Sequence, residues 1–487
     1  MIFLGTVHHP ADYFYYLSQF AQGAYQTFMT VDLYTSENLS PTFVGWSNVL
    51  IGKLFILFGF SPMIAYHVSV AILTIFLFFT AYFLCLYVLK SRFFAIVSLY
   101  LFMLFHAFPI LREGKPSYGD YWNNYAVPRV RIGAVPHQLL LSITSMLLVF
   151  GIFLWTQNKH SWKTLLLISC SSLILGSLQP ALWALITGSM FFSIVISVRH
   201  TKPIPLNSLL LCVLATATGA IPIIYLTRLF QTLPFSQLKL WEATQQTLLT
   251  PEHFLVATGP IIVVALISIP ILLKHSDIKR IFLVIFSTLS LTLFLSPLPR
   301  YIGISHVRFM STLVILSLAL IATHGLRPLL QAKQVWLKWM TYIFIIGLSL
   351  VLIPNHFKTI EISSTFTPNN LYQYLPVKDY DFFREIASKS QPTDTFLVIA
   401  PYNELFPALS GRRSYNGHPL LTIQSAKKDA LAASFFADTQ SNEAMRQFLL
   451  SNGIRWVIST QNQQKLKSAQ WASIRAKTNN LVLYAIQ

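Results

Sequence analysis

The 487-residue chain is 54% hydrophobic and 11% charged, with 35 Lys and Arg against 17 Asp and Glu, a formal net charge of +18. A mean hydropathy of +0.56 excludes an ordinary soluble globular protein and calls for a polytopic helical membrane protein. The basic residues are spread over short loops between apolar runs and over a polar tail, a distribution that membrane topology requires and that does not point to nucleic acid.

Residues 1–42 are polar and aromatic. MIFLGTV is too short for a signal-peptide core and lacks a basic leader. Ile2–Val7 instead reads as the last turns of a preceding span, which places the expected true start upstream of Met1. Tyr13, Tyr16, Phe20 and Ala24 recur at roughly helical spacing, so Asp12–Gln26 is predicted to form an interfacial helix. Thr42–Phe60 is apolar but carries Trp46, Asn48 and Lys53. It is predicted as a helix lying in the membrane interface, the alternative being that 43–61 spans.

Ten predicted spans follow: 62–89, 93–109, 138–156, 164–178, 180–198, 207–227, 254–273, 281–297, 309–325 and 337–354. Alternate loops are short and basic, namely Lys90–Arg92, Lys159–Lys163, Arg199–Lys202, Lys274–Arg280 and Arg327–Lys338, and the positive-inside rule makes them cytoplasmic. The other face then holds 1–61, 110–137, 228–253, 298–308 and everything after 354. Before residue 355 there are eight acidic residues. Seven of them (Asp12, Asp32, Glu37, Glu113, Asp120, Glu242 and Glu252) fall on that outer face, and only Asp277 does not. The topology rule does not demand this, whereas a site that uses carboxylates at the outer face does.

The tail, 355–487, carries 9 Asp and Glu and 14 Lys and Arg. Helix is predicted over 381–389 and 443–451, and strand over 395–400, 454–459 and 481–486, which makes a small extracytoplasmic α/β domain with a parallel or mixed sheet. Three domains are therefore expected: an external loop with interfacial helices (1–61), a transmembrane bundle (62–354) and the tail domain (355–487). Cys85, Cys170 and Cys212 all sit in apolar runs without metal-ligand spacing, so neither a disulfide frame nor a zinc site is expected. There is no P-loop, GxGxxG or nucleophile elbow.

Chemistry has five candidate locations. Asp12, followed by YFYY, is a carboxylate among aromatics and can act as a general base or hold a divalent cation; the simpler reading is a helix-start Asp beside an aromatic belt. The loop 110–137 joins Asp120 to Arg129, Arg131 and His137, a set suited to a sugar and an anionic phosphate or to arginines reaching lipid headgroups. Trp241-Glu242 lies in the next outer loop. His306 and Arg308 lie in the last, and Arg308, at the mouth of an apolar helix, calls for a partner or an anionic ligand. In the tail, GRRSYNGH (411–418) with Lys427-Lys428 nearby could bind a phosphate or glycan, or be a structural turn. Asn38-Leu39-Ser40 is a formal sequon and carries little weight before Pro41.

The stretches DYFYYLSQFAQG, YTSENLSP and LIGKLFILFGFSPMIAYHVS resemble the first external loop and interfacial helix of bacterial GT-C-type membrane glycosyltransferases, including the protein mannosyltransferase-like and oligosaccharyltransferase-like groups. The sharp part covers roughly residues 8–70. The resemblance implies sugar transfer from a polyprenyl-phosphate-linked donor to a glycan, lipid or protein acceptor at the outer face of the cytoplasmic membrane. Asp12 is implied as base or metal ligand (Mg or Mn), with Asp120 as a second catalytic carboxylate. Tyr13, Tyr16, Glu37, Arg129, Arg131, His137, Trp241, Glu242, His306 and Arg308 are implied as substrate-binding, Arg308 stabilising the leaving phosphate. Two departures stand out: the family's first span is missing, and Val70 follows YHVS where a basic residue is expected. A transporter or flippase, or a polymerase or ligase of lipid-linked glycans, is the competing reading. The spans, nearly free of charge and without visible repeats, speak against transport.

Overall fold

The computed structural model describes all residues except 6–9, 26–27, 106–109, 113–114, 118–134, 158–160, 199–205, 245–253, 256–257, 275–276, 364–369, 438 and 462. The chain is mostly helical and divides into two compact units. One comprises Met1–Ser69, Thr232–Leu238 and Thr365–Gln487; the other comprises Val70–Gln231 and Lys239–Ser364.

Each of the ten predicted spans falls on a helix. Seven helices are long and apolar enough to cross a membrane: Pro62–Leu89, Pro136–Thr156, Pro180–Ser197, Leu210–Leu229, Ile278–Leu295, Thr312–Leu330 and Val335–Pro354. The remaining three, Arg92–Leu104, Trp162–Leu178 and Pro260–Leu273, are apolar but shorter. A 13-residue helix such as Arg92–Leu104 rises only about 20 Å, against about 30 Å of hydrocarbon. In the second unit the core is built on Thr312–Leu330, whose residues from Thr312 to His324 are all buried. Pro260–Leu273 and Arg92–Leu104 pack against it, and the lipid-suited exterior is supplied by residues such as Ile267, Leu350 and Phe79.

In the first unit the central helix is α1 (Pro10–Tyr25). A helix is present where the interfacial helix was expected, but it buries more than one face: Tyr13, Phe14, Leu17 to Gly23 are all buried. Its neighbour α2 (Trp46–Ile56) crosses it at backbone contact. A Cβ on Gly23 would lie 2.1 Å from the Val49 carbonyl oxygen, and one on Gly52 would lie 2.3 Å from that of Phe20. Only glycine permits that approach. The buried amide of Asn48 donates to Gln19 Oε1 at 2.7 Å across the crossing.

Ile2–Phe3 forms a strand, β1, paired antiparallel with Tyr374–Leu375. This replaces the helical turn expected over Ile2–Val7; the pairing satisfies backbone groups that a helix would have satisfied internally. Residues 6–9 lie outside the described residues.

The tail holds a five-stranded mixed sheet in the order Arg413–Ser414, Thr395–Val398, Ile454–Thr460, Leu481–Ile486, Ala472–Lys477. The first three strands are parallel and the last two pairings are antiparallel. All three predicted strands are in it. Helices Val377–Lys389 and Asn442–Ser451 match the two predicted, and Tyr402–Ser410 and Ser425–Phe436 are additional. The core of this layer is Leu397, Tyr415, Phe435, Met445, Leu449, Val457 and Tyr484.

Candidate functional site

Loop 30–42 of the first unit is closed by an antiparallel bridge between Thr30 and Thr42 and is laced to the tail. Ser414 N–H donates to the Leu33 carbonyl at 2.8 Å. Thr422 Oγ1 donates to the Tyr34 carbonyl at 2.6 Å and Ile423 N–H to Thr35 Oγ1 at 3.2 Å. The GRRSYNGH segment is thus held against the first loop, and the charged residues of both meet.

Two acids and two bases form that meeting. Lys428 Nζ lies 2.8 and 2.7 Å from the Glu37 carboxylate oxygens and donates also to Ser36 Oγ at 2.9 Å. Thr35 Oγ1 donates to Glu37 Oε2 as well. Burial would raise the Glu37 pKa, but the bonds from Lys428 and Thr35 outweigh it and hold the carboxyl below its ordinary value. Burial pulls the Lys428 ammonium down, partly offset by Glu37. Glu37, implied as substrate-binding, therefore spends its carboxylate on Lys428. Asp32 is different. Its Oδ1 accepts from Tyr34 N–H at 2.9 Å, while Oδ2 is sealed from water with no hydrogen-bond partner among the described residues. Burial pushes its carboxyl up to about 7, with the Tyr34 bond and the Arg413 charge working the other way. Arg413 is buried, reaches Asn38 Oδ1 at 3.4 Å, and leaves its Nε unpartnered among the described residues.

Beside this cluster stands an aromatic cage around His418. Tyr15 and Tyr34 present their rings edge-on to the imidazole, with centroids 5.7 and 5.8 Å away. His418 Nδ1 accepts backbone N–H bonds from Leu420 at 3.1 Å and Leu421 at 3.2 Å. Desolvation lowers its pKa to about 4, opposed by the negative charge of Asp12. Asp12 itself is half-buried in the first turn of α1.

The sequence-derived residues fare differently. Tyr13 is turned inward: it is 5% exposed, and its hydroxyl donates to the Leu4 carbonyl and meets His67 Nε2 at 3.2 Å. Burial raises its phenol well above the ordinary value. Tyr16 is half-buried, next to Tyr15. Asp120, Arg129 and Arg131 lie outside the described residues. His137 is half-buried in the first turn of Pro136–Thr156.

In the second unit, Arg308 and Glu242, chosen separately from the sequence, form a bidentate pair, Nε to Oε1 at 2.6 Å and Nη2 to Oε2 at 2.9 Å. The partner that an arginine at a helix mouth calls for is thus Glu242. The Arg308 carbonyl is in turn fixed by Gln179 Nε2 at 3.0 Å. His306 is buried against the Phe294 ring, 5.3 Å between centroids, and Trp241 is exposed. Among the described residues no group of three or more His, Cys, Asp or Glu converges to hold a metal ion.

Asp32 and Tyr34 were not selected from the sequence as site residues, and Arg413 and His418 entered only as part of the GRRSYNGH segment, read as a phosphate- or glycan-binding turn or a structural one. The signal was present only in part, as an acid in the outer set and a Gly-bounded basic turn.

The sequence matches no protein-family model and no curated protein. Solved structures do match in fold. The oligosaccharyltransferase of Archaeoglobus fulgidus in its apo form superposes with a TM-score of 0.57 at 12% identity, covering 93% of this chain and 65% of that one. The same archaeal oligosaccharyltransferase, AglB, in complex with an inhibitory peptide and a dolichol-phosphate gives 0.54 at 12% identity with the same coverage. ArnT from Cupriavidus metallidurans in the apo state gives 0.43 at 13% identity, over 97% of this chain and 92% of that one. The chain has the fold of the solved Archaeoglobus fulgidus oligosaccharyltransferase structures. It spans 65% of the length of AglB.

Proposed function

We propose that this protein is a glycosyltransferase that moves a sugar from a polyprenyl-phosphate-linked donor to an envelope acceptor at the outer face of the cytoplasmic membrane. The fold supports the class. The observation that carries the chemistry is Asp12, a half-buried carboxylate in the first turn of a buried helix, one turn before Tyr15, whose ring lies against His418. A carboxylate so held can take the proton of an acceptor as it attacks the anomeric carbon. Arg308, oriented by Glu242 on two of its nitrogens, is the cation assigned to a phosphate oxygen of the donor.

The test is transfer of radiolabelled sugar from membrane-extracted lipid donors by the purified full chain in nanodiscs, wild type against Asp12→Asn, with and without chelator. Loss of transfer in Asp12→Asn supports the assignment. Equal rates remove Asp12 from the mechanism. Loss on chelation alone would bring in a cation that the described residues do not account for.

A further inference from the structure

The basic ends of the bundle helices meet at one buried cation. Lys279 lies in the first turn of Ile278–Leu295, in a loop-and-helix junction that the positive-inside rule makes cytoplasmic. A lysine at such an end normally extends its ammonium to water or lipid headgroups. This one is 2% exposed. Its Nζ lies 5.0 Å from the centroid of the Tyr87 ring and makes no hydrogen bond or ion pair among the described residues. The ring is held in place, because the Tyr87 hydroxyl donates to Gln157 Oε1 at 2.7 Å and meets the Phe153 carbonyl at 3.1 Å. Asp277 is the one acid that the topology puts on this face. It caps the helix, Oδ1 accepting the Lys279 backbone N–H at 3.1 Å, and does not pair with the ammonium.

Further cations share the place. Lys90 and Arg92 stand at the turn just beyond Tyr87, between Pro62–Leu89 and Arg92–Leu104. Arg327 of Thr312–Leu330 donates from Nη1 to the Leu89 carbonyl at 3.3 Å, with its guanidinium over the Phe94 ring at 5.0 Å. Its Nη2 makes no hydrogen bond among the described residues. Lys90, Arg92, Lys279, Arg280 and Arg327 thus gather at one end of the bundle. Arg92–Leu104 and Ile278–Leu295 both begin there, so their N-terminal dipoles add to the positive potential. A nearly dry ammonium held against a neutral ring is costly unless an anion joins it.

We propose that this cluster binds an anionic phosphate, the headgroup phosphodiester of an acidic phospholipid, with Lys279 as its central contact. A phosphate oxygen accepts from Lys279 Nζ, and the flanking Lys90 and Arg327 neutralise the remaining charge. A lipid source fits Phe83, Phe93 and Ile96, which lie on the same helix ends and expose apolar surface suited to acyl chains. The site is separate from the acids of the outer face and does not rest on the transferase reading.

The test uses the full chain in nanodiscs of phosphatidylcholine alone, with added phosphatidylglycerol, or with inorganic phosphate in the buffer. Melting temperature is read in each, and retained phosphatidylglycerol is counted by native mass spectrometry. Lys279→Met removes the charge and keeps an apolar stem. Lys163→Met, at an exposed lysine of another basic loop, controls for diffuse surface attraction. Phosphatidylglycerol is expected to raise the melting temperature of the wild type and to stay bound. Lys279→Met should be at least as stable as wild type in phosphatidylcholine, lose that increment, and retain the lipid about tenfold less well. Lys163→Met should behave as wild type. An increment lost in Lys279→Met but produced equally by inorganic phosphate assigns the same site to a soluble phosphate. An equal phosphatidylglycerol increment in wild type and Lys279→Met overturns the proposal, as does an equal loss in Lys163→Met or a wild type that responds to neither probe. Should Lys279→Met fail to assemble, Arg327→Gln reads the same increment, and an undiminished one overturns the proposal equally.

Discussion

The Glu37–Lys428 pair makes an asymmetric prediction. The Lys428 side chain is 8% exposed and that of Glu37 is 38% exposed. Replacing Glu37 with Met strands an ammonium in a nearly dry site, with the Thr35 and Ser36 hydroxyls as its remaining hydrogen-bond partners. Breaking a buried pair in this way costs about 4 kcal/mol. Replacing Lys428 with Met leaves a carboxylate that water can reach and that Thr35 still serves, so the cost is that of the lost charge-assisted bonds, about 2 kcal/mol. The methionine stem also keeps the packing of the lysine chain against Tyr415, whose ring centroid lies 5.1 Å from Nζ. The double substitution removes both charges and should be less destabilising than Glu37→Met alone. The measurement is hydrogen exchange of the Tyr34, Ser414 and Ile423 amides in nanodiscs, since these N–H groups are bonded to Asp32, Leu33 and Thr35 and report opening of the seam between loop and tail. Lys428→Met costing as much as Glu37→Met would refute the reasoning, because it would mean that burial of the ammonium is not what sets the penalty.

Asp32 gives a pH signature. Its carboxyl is raised from 3.8 to about 7, so its contribution to stability is full below the unfolded value and is lost as pH rises through the folded one. Seam stability should therefore fall between about pH 4 and 7, by at most ~4 kcal/mol, and Asp32→Asn should flatten that slope; an unchanged slope would refute the assignment. Gly417→Ala should destabilise the tail by ~2 kcal/mol or more, because it adds backbone strain and a clash with Asn403, which thermal unfolding would read. Arg308→Lys should change stability by less than about 1 kcal/mol, since the pair is partly exposed, but lower transfer markedly by losing the fork geometry; the comparison of melting temperature with transfer rate decides it.

Much of this was legible without a structure. The ten apolar runs coincide with helices because length and hydropathy alone define such segments in lipid. The strand over 395–398 and those beginning at Ile454 and Leu481 were visible as apolar β-rich runs, each mostly buried. The strand Ala472–Lys477 was not, because it lies at a sheet edge with few buried residues and so carries no apolar pattern. Arg413–Ser414 is a strand of two residues, too short to leave any periodicity. Arg308 and Glu242 were each recognisable as costly charges at an outer face, yet nothing in their positions, 66 residues apart, announced a bidentate pair.

The sequence by itself determined the membrane class, the count of apolar helices and the tail's mixed composition. Each of these follows from local composition or from a period that neighbouring residues share. Only the tertiary structure decided that Glu37 would meet a lysine 391 positions away. It also decided that Tyr13 would turn inward and that the ring of His418 would lie between two tyrosines of the chain's opening segment. Contacts at that separation are set by packing and by the need to satisfy buried polar groups, and neither leaves a local pattern in the chain.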